Sequence, residues 1–171
     1  MSVLSHLGPT KDKLVLSVSE KNSIDISIDT VANRLNQHFG SQVNEHFRFG
    51  SSTRGTILPR KADSRSDIDY MIVFDNSVGY RPQTFIERLK KFAEKYYSTS
   101  QISRSHPTVV LDLNHIKFDL VPAYRSSSWW DGRILHIPGP KSGYTDWIST
   151  DPNDFNQTLI DKNQANKNLI K

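Results

Sequence analysis

Apolar residues step by four, three, four and four from Ile24 through Ile28, Val31 and Leu35 to Phe39, one stripe along a helix. Ahead of them Ser17-Val-Ser-Glu20 has the spacing of a capping box, in which hydroxyl and carboxylate serve each other's orphan amides. Gly40 supplies the stop, so the pattern predicts a helix over 17–39. The period then falls to two. His46-Phe-Arg-Phe49 alternates as a strand and runs into Gly50-Ser51-Ser52-Thr53-Arg54-Gly55-Thr56. A polar, basic loop (58–66) leads to Asp67-Ile-Asp-Tyr-Met-Ile-Val-Phe74, the strongest strand in the chain. Its apolar run after Asp69 needs cover on both faces, which predicts a central strand.

Pro82 suits the first turn of a second helix, with Phe85, Leu89, Phe92 and Tyr96 on one face. Two short strands follow, 108–113 and 116–121, turning at Asn114-His115. A polar, Trp-bearing stretch (126–132) precedes the mostly apolar 133–137, and Gly139-Pro140 and Ser142-Gly143 loosen the chain. Asp151-Pro152-Asn153-Asp154 opens a last helix with a cap, a proline and a carboxylate in the first turn. That helix carries Phe155, Leu159 and Ile160, then Leu169 and Ile170, and no stop signal precedes Lys171. The pattern therefore divides into an arm (1–16), where Gly8-Pro9 breaks any early helix, a core (17–150), and the start of a helix (151–171) that reads as truncated. No internal repeat interrupts this order.

Composition narrows the chemistry. The 171 residues suffice for one domain with its own core, or one domain and part of another. With no cysteine, disulfides, thiolate metal sites and a cysteine nucleophile are excluded. A net charge of +4 is compatible with phosphate-bearing ligands and too small to argue for a dedicated duplex binder. No run approaches a membrane span and the N-terminus lacks a signal-peptide pattern, so a cytoplasmic location without membrane partners is expected. Asp supplies 14 of the 18 acidic residues. Short carboxylates favour turns, caps and metal shells, so each Asp needs its own reading.

Three features carry chemistry together. Gly50-Ser51 leaves a strand, where glycine lets a phosphate approach the backbone and the hydroxyl adds a neutral donor. Asp67 and Asp69 are two apart on a strand and so project from one face. Two carboxylates about 4 Å apart repel by roughly 1 kcal/mol in water and ~4 kcal/mol at an effective dielectric of 20, which calls for a compensating cation or proton. Asp119, in Ile-Lys-Phe-Asp-Leu-Val-Pro, shares a face with Lys117 and Val121, and an adjacent antiparallel strand would bring it beside the first pair. Each feature has a bland alternative: a Gly/Ser turn, a solvated strand end, a Lys117–Asp119 salt bridge. Asp112 on the partner strand is a rival for the third carboxylate. Asp119 is preferred because an apolar strand end and a proline follow it. Three hard oxygen donors suit two Mg²⁺ or Mn²⁺ ions rather than zinc. Beside a triphosphate cradle they form the layout for two-metal nucleotidyl transfer. The six histidines, at 6, 38, 46, 106, 115 and 136, have no ligand-like or triad-like spacing.

Gly50-Ser51 through Asp67-x-Asp69 to Asp119 resembles the polymerase-β-like nucleotidyltransferases. Within them the chain is most similar to the bacterial relatives of cyclic GMP-AMP synthase and 2′-5′-oligoadenylate synthase, the CD-NTase or SMODS-type enzymes. Arg54-Gly55-Thr56, Val121-Pro122-Ala123, Ile134–Pro138, the Trp147–Pro152 run and the 17–39 helix support that branch. The resemblance implies an α/β (α+β) fold: a mixed central sheet flanked by helices, with the C-terminal helical lobe missing or truncated. It implies Mg²⁺-dependent chemistry on nucleoside triphosphates: ATP, with GTP, CTP or UTP as further substrates. Its usual product is a cyclic di- or trinucleotide that activates an effector in anti-phage defence, and a regulatory protein partner is compatible with it. Carried over by position, Asp67 and Asp69 bind both metals and Asp119 completes the hydroxyl-activating site. Gly50 and Ser51 hold the donor triphosphate, with Ser52 and Arg54 as phosphate neighbours. A chain ending inside the last helix is expected to keep the metal carboxylates and lack part of the nucleotide grip.

Two rivals remain. One keeps the chemistry and changes the acceptor to a protein or RNA, as in antitoxin-type enzymes. Compact members of that group resemble this chain less, since they have a shorter stretch than Leu58–Ser66 between the two motifs. The other is a domain that only binds nucleic acid, through Arg54, Arg60, Lys61, Arg65 and Arg104, with Trp129-Trp130 as stacking platforms. Nucleic acid as a partner is not the expected reading.

Overall fold

A computed structural model describes residues 8, 10–105, 107–126, 134–139, 143 and 145–167. Residues 10–13 are helical, so the segment expected to be an arm carries a helical turn. Helix α1 (Val18–Phe39) begins at the expected cap: the Ser17 amide donates to Glu20 Oε2 at 2.9 Å and the Glu20 amide to Ser17 Oγ at 3.2 Å. Its stripe Ile24, Val31, Leu35 and Phe39 is buried, and it ends at Gly40, whose φ of +52° is left-handed.

Strand β1 (Val43–Phe49) runs antiparallel to β2 (Asp67–Phe74), whose residues from Tyr70 onward are all buried. Helix α2 (Pro82–Tyr96) buries Phe85, Leu89 and Phe92. After it come β3 (Ile102–Ser105), β4 (Thr108–Asp112), β5 (Lys117–Arg125), β6 (Leu135–Pro138), β7 (Trp147–Thr150) and helix α3 (Pro152–Ala165). The sheet order is β1-β2-β5-β4-β3, with β6 beside the end of β5 and β7 outside β6. It is a mixed sheet, because β5 lies parallel to β2 and antiparallel to β4 and β6.

That parallel pairing corrects the antiparallel neighbour expected for Asp119. The chain leaves the C-terminal end of β2 and crosses through α2, β3 and β4 before β5 starts level with Asp67. A crossover of that length is what parallel neighbours require. Two strands went unforeseen: β3, too short to alternate, and β7, read as a run leading into a helix. The Trp147 indole of β7 donates to the Tyr80 carbonyl at 3.2 Å and lies 5.7 Å from the Phe85 ring, so it packs on α2. β5 also runs past Val121 through Pro122. Proline is tolerated inside this central strand because β4 pairs only as far as Leu120 and β6 starts at Tyr124.

The two faces of the sheet differ. Ile68, Tyr70, Ile72, Phe74, Phe118 and Leu120 join α1 and α2 in the main core. Met71, Val73, Val121, Ala123 and Leu135 form a smaller cluster on the other face. On the helix side the Tyr70 hydroxyl lies 2.8 Å from His46 Nδ1, and His46 Nε2 donates to Asn36 Oδ1 at 3.0 Å. The imidazole is a neutral tie between α1, β1 and β2, and its burial holds its pKa below the usual histidine value. That gives one of the six histidines a structural role.

Candidate active site

Period-two alternation on β2 sends Ile68 and Tyr70 into the core, so Asp67 and Asp69 project from the opposite face with Met71 and Val73. The same rule on β5 puts Lys117 and Asp119 on that face with Val121. The parallel register sets Asp67 beside Lys117 and Asp69 beside Asp119. On the other flank, Asp69 pairs with Phe49, the last residue of β1. Gly50 follows and opens a 3-10 turn, Gly50–Ser52.

Gly50 meets Asp69 at close quarters. Its φ is +71°, and a Cβ added there would lie 2.0 Å from Asp69 Oδ2 and 2.9 Å from Cγ. Both facts demand glycine. The residue expected to make room for a phosphate thus also makes room for a carboxylate. Its neighbours close the turn: Ser52 Oγ donates to the Phe49 carbonyl at 3.2 Å and Thr53 Oγ1 to the Gly50 carbonyl at 2.9 Å. The Ser51 carbonyl accepts from the Thr56 amide at 3.1 Å.

The three carboxylates share one electrostatic field. Asp69 is pushed up to about 6, first by burial, then by the charges of Asp67 and Asp119, while Arg54 pulls it down. Asp119 is likewise raised to about 6 by burial and by Asp67, against Lys117. Burial also raises Asp67, which Lys117 eases. Asp112, the rival, is in the opposite situation. Arg60 Nη1 reaches its Oδ1 at 2.6 Å and Lys117 Nζ its Oδ2 at 3.7 Å, so it is held below the ordinary carboxylate range. Asp112 is paired and stabilised, whereas the other three are partly buried and repel one another.

The sequence profile of the SMODS family, described as Second Messenger Oligonucleotide or Dinucleotide Synthetase domain, matches residues 1–163. The chain belongs to this family. No curated protein matches the SMODS chain. Among solved structures it is similar to the Bradyrhizobium diazoefficiens CD-NTase CdnG in complex with GTP, with a TM-score of 0.69 at 13% identity, covering 85% of this chain and 42% of that one. A STING-associated CdnE c-di-GMP synthase from Capnocytophaga granulosa matches at 0.66 and 17% identity, covering 90% of this chain and 50% of that one. E. coli MS115-1 CdnC with ATP matches at 0.63 and 15%, covering 90% and 49%. At such identities the likeness is one of fold. It agrees with the mixed sheet and flanking helices expected of a polymerase-β-like core. The SMODS chain spans about half the length of these structures.

The remaining candidate residues of the SMODS domain divide by what they touch. Arg54 lies close enough to ease Asp69, and its Nη1 donates to Asn156 Oδ1 of α3 at 3.1 Å. Arg60, counted in the basic patch, is a pin: besides Asp112 it bonds the carbonyls of Asn114 and Ser64, each at 3.2 Å. Arg65 is mostly exposed and lies 3.6 Å from Asp63. Lys61 is exposed. Trp129-Trp130 lie outside the described residues, as does the side chain of Arg104. Sequence reasoning passed over Asn156, for nothing in the sequence marks an asparagine 102 residues from its partner. Lys117 entered only as a salt-bridge alternative, although its parity with Asp119 puts it on the same face.

The donor set fits a divalent cation. It is all carboxylate oxygen, which suits Mg²⁺ or Mn²⁺, and its raised pKa values come first from burial and then from mutual repulsion. Among the described residues no three His, Cys, Asp or Glu side chains are grouped closely enough to hold a metal ion as they stand. Among the described residues no helix is long and apolar enough to cross a membrane.

Proposed function

We propose that this domain catalyses divalent-metal-dependent nucleotidyl transfer from a nucleoside triphosphate to a sugar hydroxyl, building a cyclic di- or trinucleotide. The carrying observation is the register that sets Asp119 beside Asp69, on the face where Asp67 projects and Gly50 packs. In this reading Asp67 and Asp69 hold two Mg²⁺ (or Mn²⁺) ions and Asp119 completes the shell on the hydroxyl side. When bound, such ions supply hydroxyl activation and charge neutralisation on the departing pyrophosphate. The Gly50-Ser51 turn binds the donor triphosphate through its amides and the Ser51 hydroxyl, with Ser52 and Arg54 beside it. Lys117 moderates the negative charge of the acidic face, and burial of Asp69 and Asp119 keeps bulk water from screening it. Each transfer forms one bond from the hydroxyl oxygen to the α-phosphorus and breaks the α–β phosphoanhydride. The substrates are ATP and a second triphosphate, and the product is a messenger in cytoplasmic anti-phage defence. Membership of the SMODS family supports the oligonucleotide product, and the engagement of Arg60 in a structural network disfavours a domain that only binds nucleic acid.

Mass spectrometry of products formed from all four nucleoside triphosphates with Mg²⁺ or Mn²⁺ tests this. A small phosphatase-resistant product that disappears in D67A/D69A supports it. Label transferred to protein or RNA would move the acceptor to a macromolecule, and product surviving in D67A/D69A would end the reading.

A further inference from the structure

Helix α3 reaches back to the glycine–serine turn through one side chain. Asn156 Oδ1 accepts from Arg54 Nη1 at 3.1 Å, and its Nδ2 donates to Thr53 Oγ1 at 3.3 Å. Thr53 Oγ1 in turn donates to the Gly50 carbonyl at 2.9 Å. The relay therefore runs from α3 into the residue packed against Asp69. An asparagine suits this place because one planar amide offers an acceptor to a guanidinium and a donor to a hydroxyl at once. Neither a carboxylate nor an aliphatic residue does both. The turn needs such an anchor. Gly50 and Gly55 both have positive φ, +71° and +68°, and two glycines within six residues give residues 50–55 more freedom than any strand around them. The Thr56 amide and hydroxyl, on the Ser51 carbonyl, close it from its own far end.

We infer that Asn156 is a positioning residue for nucleotide binding, clasping the Gly50–Thr56 loop to α3 and holding Arg54 where the triphosphate arrives. The inference rests on the proposed nucleotide site and adds to it a dependence on α3, an element outside the sheet that bears the carboxylates. The clasp orders the loop before the ligand comes, so the ordering entropy is not charged to binding.

The test compares N156A with T53V, which breaks the same relay from the loop side, and with Q157A as control. Gln157 is the next residue on α3, but its hydrogen bond stays within the helix, to Asp161 at 2.8 Å. Two readouts are taken on the intact chain: amide hydrogen exchange across residues 50–56, and calorimetric binding of ATP with Mn²⁺, beside Mn²⁺ alone. Expected are faster exchange at 51–56 and an ATP Kd about tenfold higher in N156A and T53V, with Mn²⁺ binding and the Q157A values unchanged. Tenfold corresponds to about 1.4 kcal/mol, the size of one or two modest hydrogen bonds. Unchanged exchange and unchanged ATP affinity in N156A would overturn the clasp. If the unaltered protein binds Mn²⁺ but no ATP, the nucleotide site fails instead, and exchange across the loop still decides whether Asn156 anchors it.

Discussion

Asp69 and Asp119 sit where two demands conflict. Burial and mutual repulsion raise both to about 6 from an ordinary value of 3.8, so the metal-free fold is stabilised by their protonation. The contribution is fully present below about pH 4 and is lost as the pH rises through 6. In the proposed function a divalent cation takes the place of the proton above that range. D119N should therefore raise the melting temperature of the metal-free protein near pH 7.5 by about 2–4 °C for each kcal/mol of relieved repulsion. It should also abolish the rise that Mn²⁺ produces in the unaltered protein. Differential scanning calorimetry with and without Mn²⁺ measures both. By the same linkage Mn²⁺ should bind more weakly at pH 5 than at pH 7.5. Gly50 gives the second residue-scale expectation. In G50A the new methyl must displace the Asp69 carboxylate and tolerate φ +71°, a left-handed penalty of roughly 1–2 kcal/mol. Melting should fall by several degrees and Mn²⁺ binding should weaken.

Among the elements, the loop between β1 and β2 bears on which rival reading survives. Its basic residues looked like a nucleic-acid patch, yet Arg60 spends its guanidinium on Asp112, Asn114 and Ser64. R60A should lower the melting temperature by a few degrees while leaving any salt-sensitive RNA binding as it was; a phosphate contact would do the reverse. The Arg60–Asp112 pair is partly exposed, with side chains 21% and 39% accessible, so solvent limits its worth to about 1 kcal/mol. The element pattern itself was largely legible: the Ser17–Glu20 box, the Asp67–Phe74 strand and the Pro82 helix start all appear where spacing puts them. The turn at Asn114 does too, in the left-handed conformation asparagine tolerates, φ +55°. β3 and β7, at four residues each, escaped because a strand that short has too few positions to reveal a period.

For the whole molecule, the chain covers about half the length of the solved structures it matches. We expect the chain to bind Mn²⁺ and D67A/D69A to lose that binding; cation titration checks this. Side-chain parity is local, so the sequence alone already had Asp67 and Asp69 on one face and Lys117 and Asp119 on another common face. Which strand lies beside which is not local. It depends on where α2 packs and on how many residues the crossover needs, and the tertiary structure resolved it as a parallel pairing that sets Asp119 against Asp69. The close approach of Gly50 to a carboxylate and the reach of Asn156 to Arg54 belong to the same class. They join positions far apart along the chain, and only packing in three dimensions brings those together.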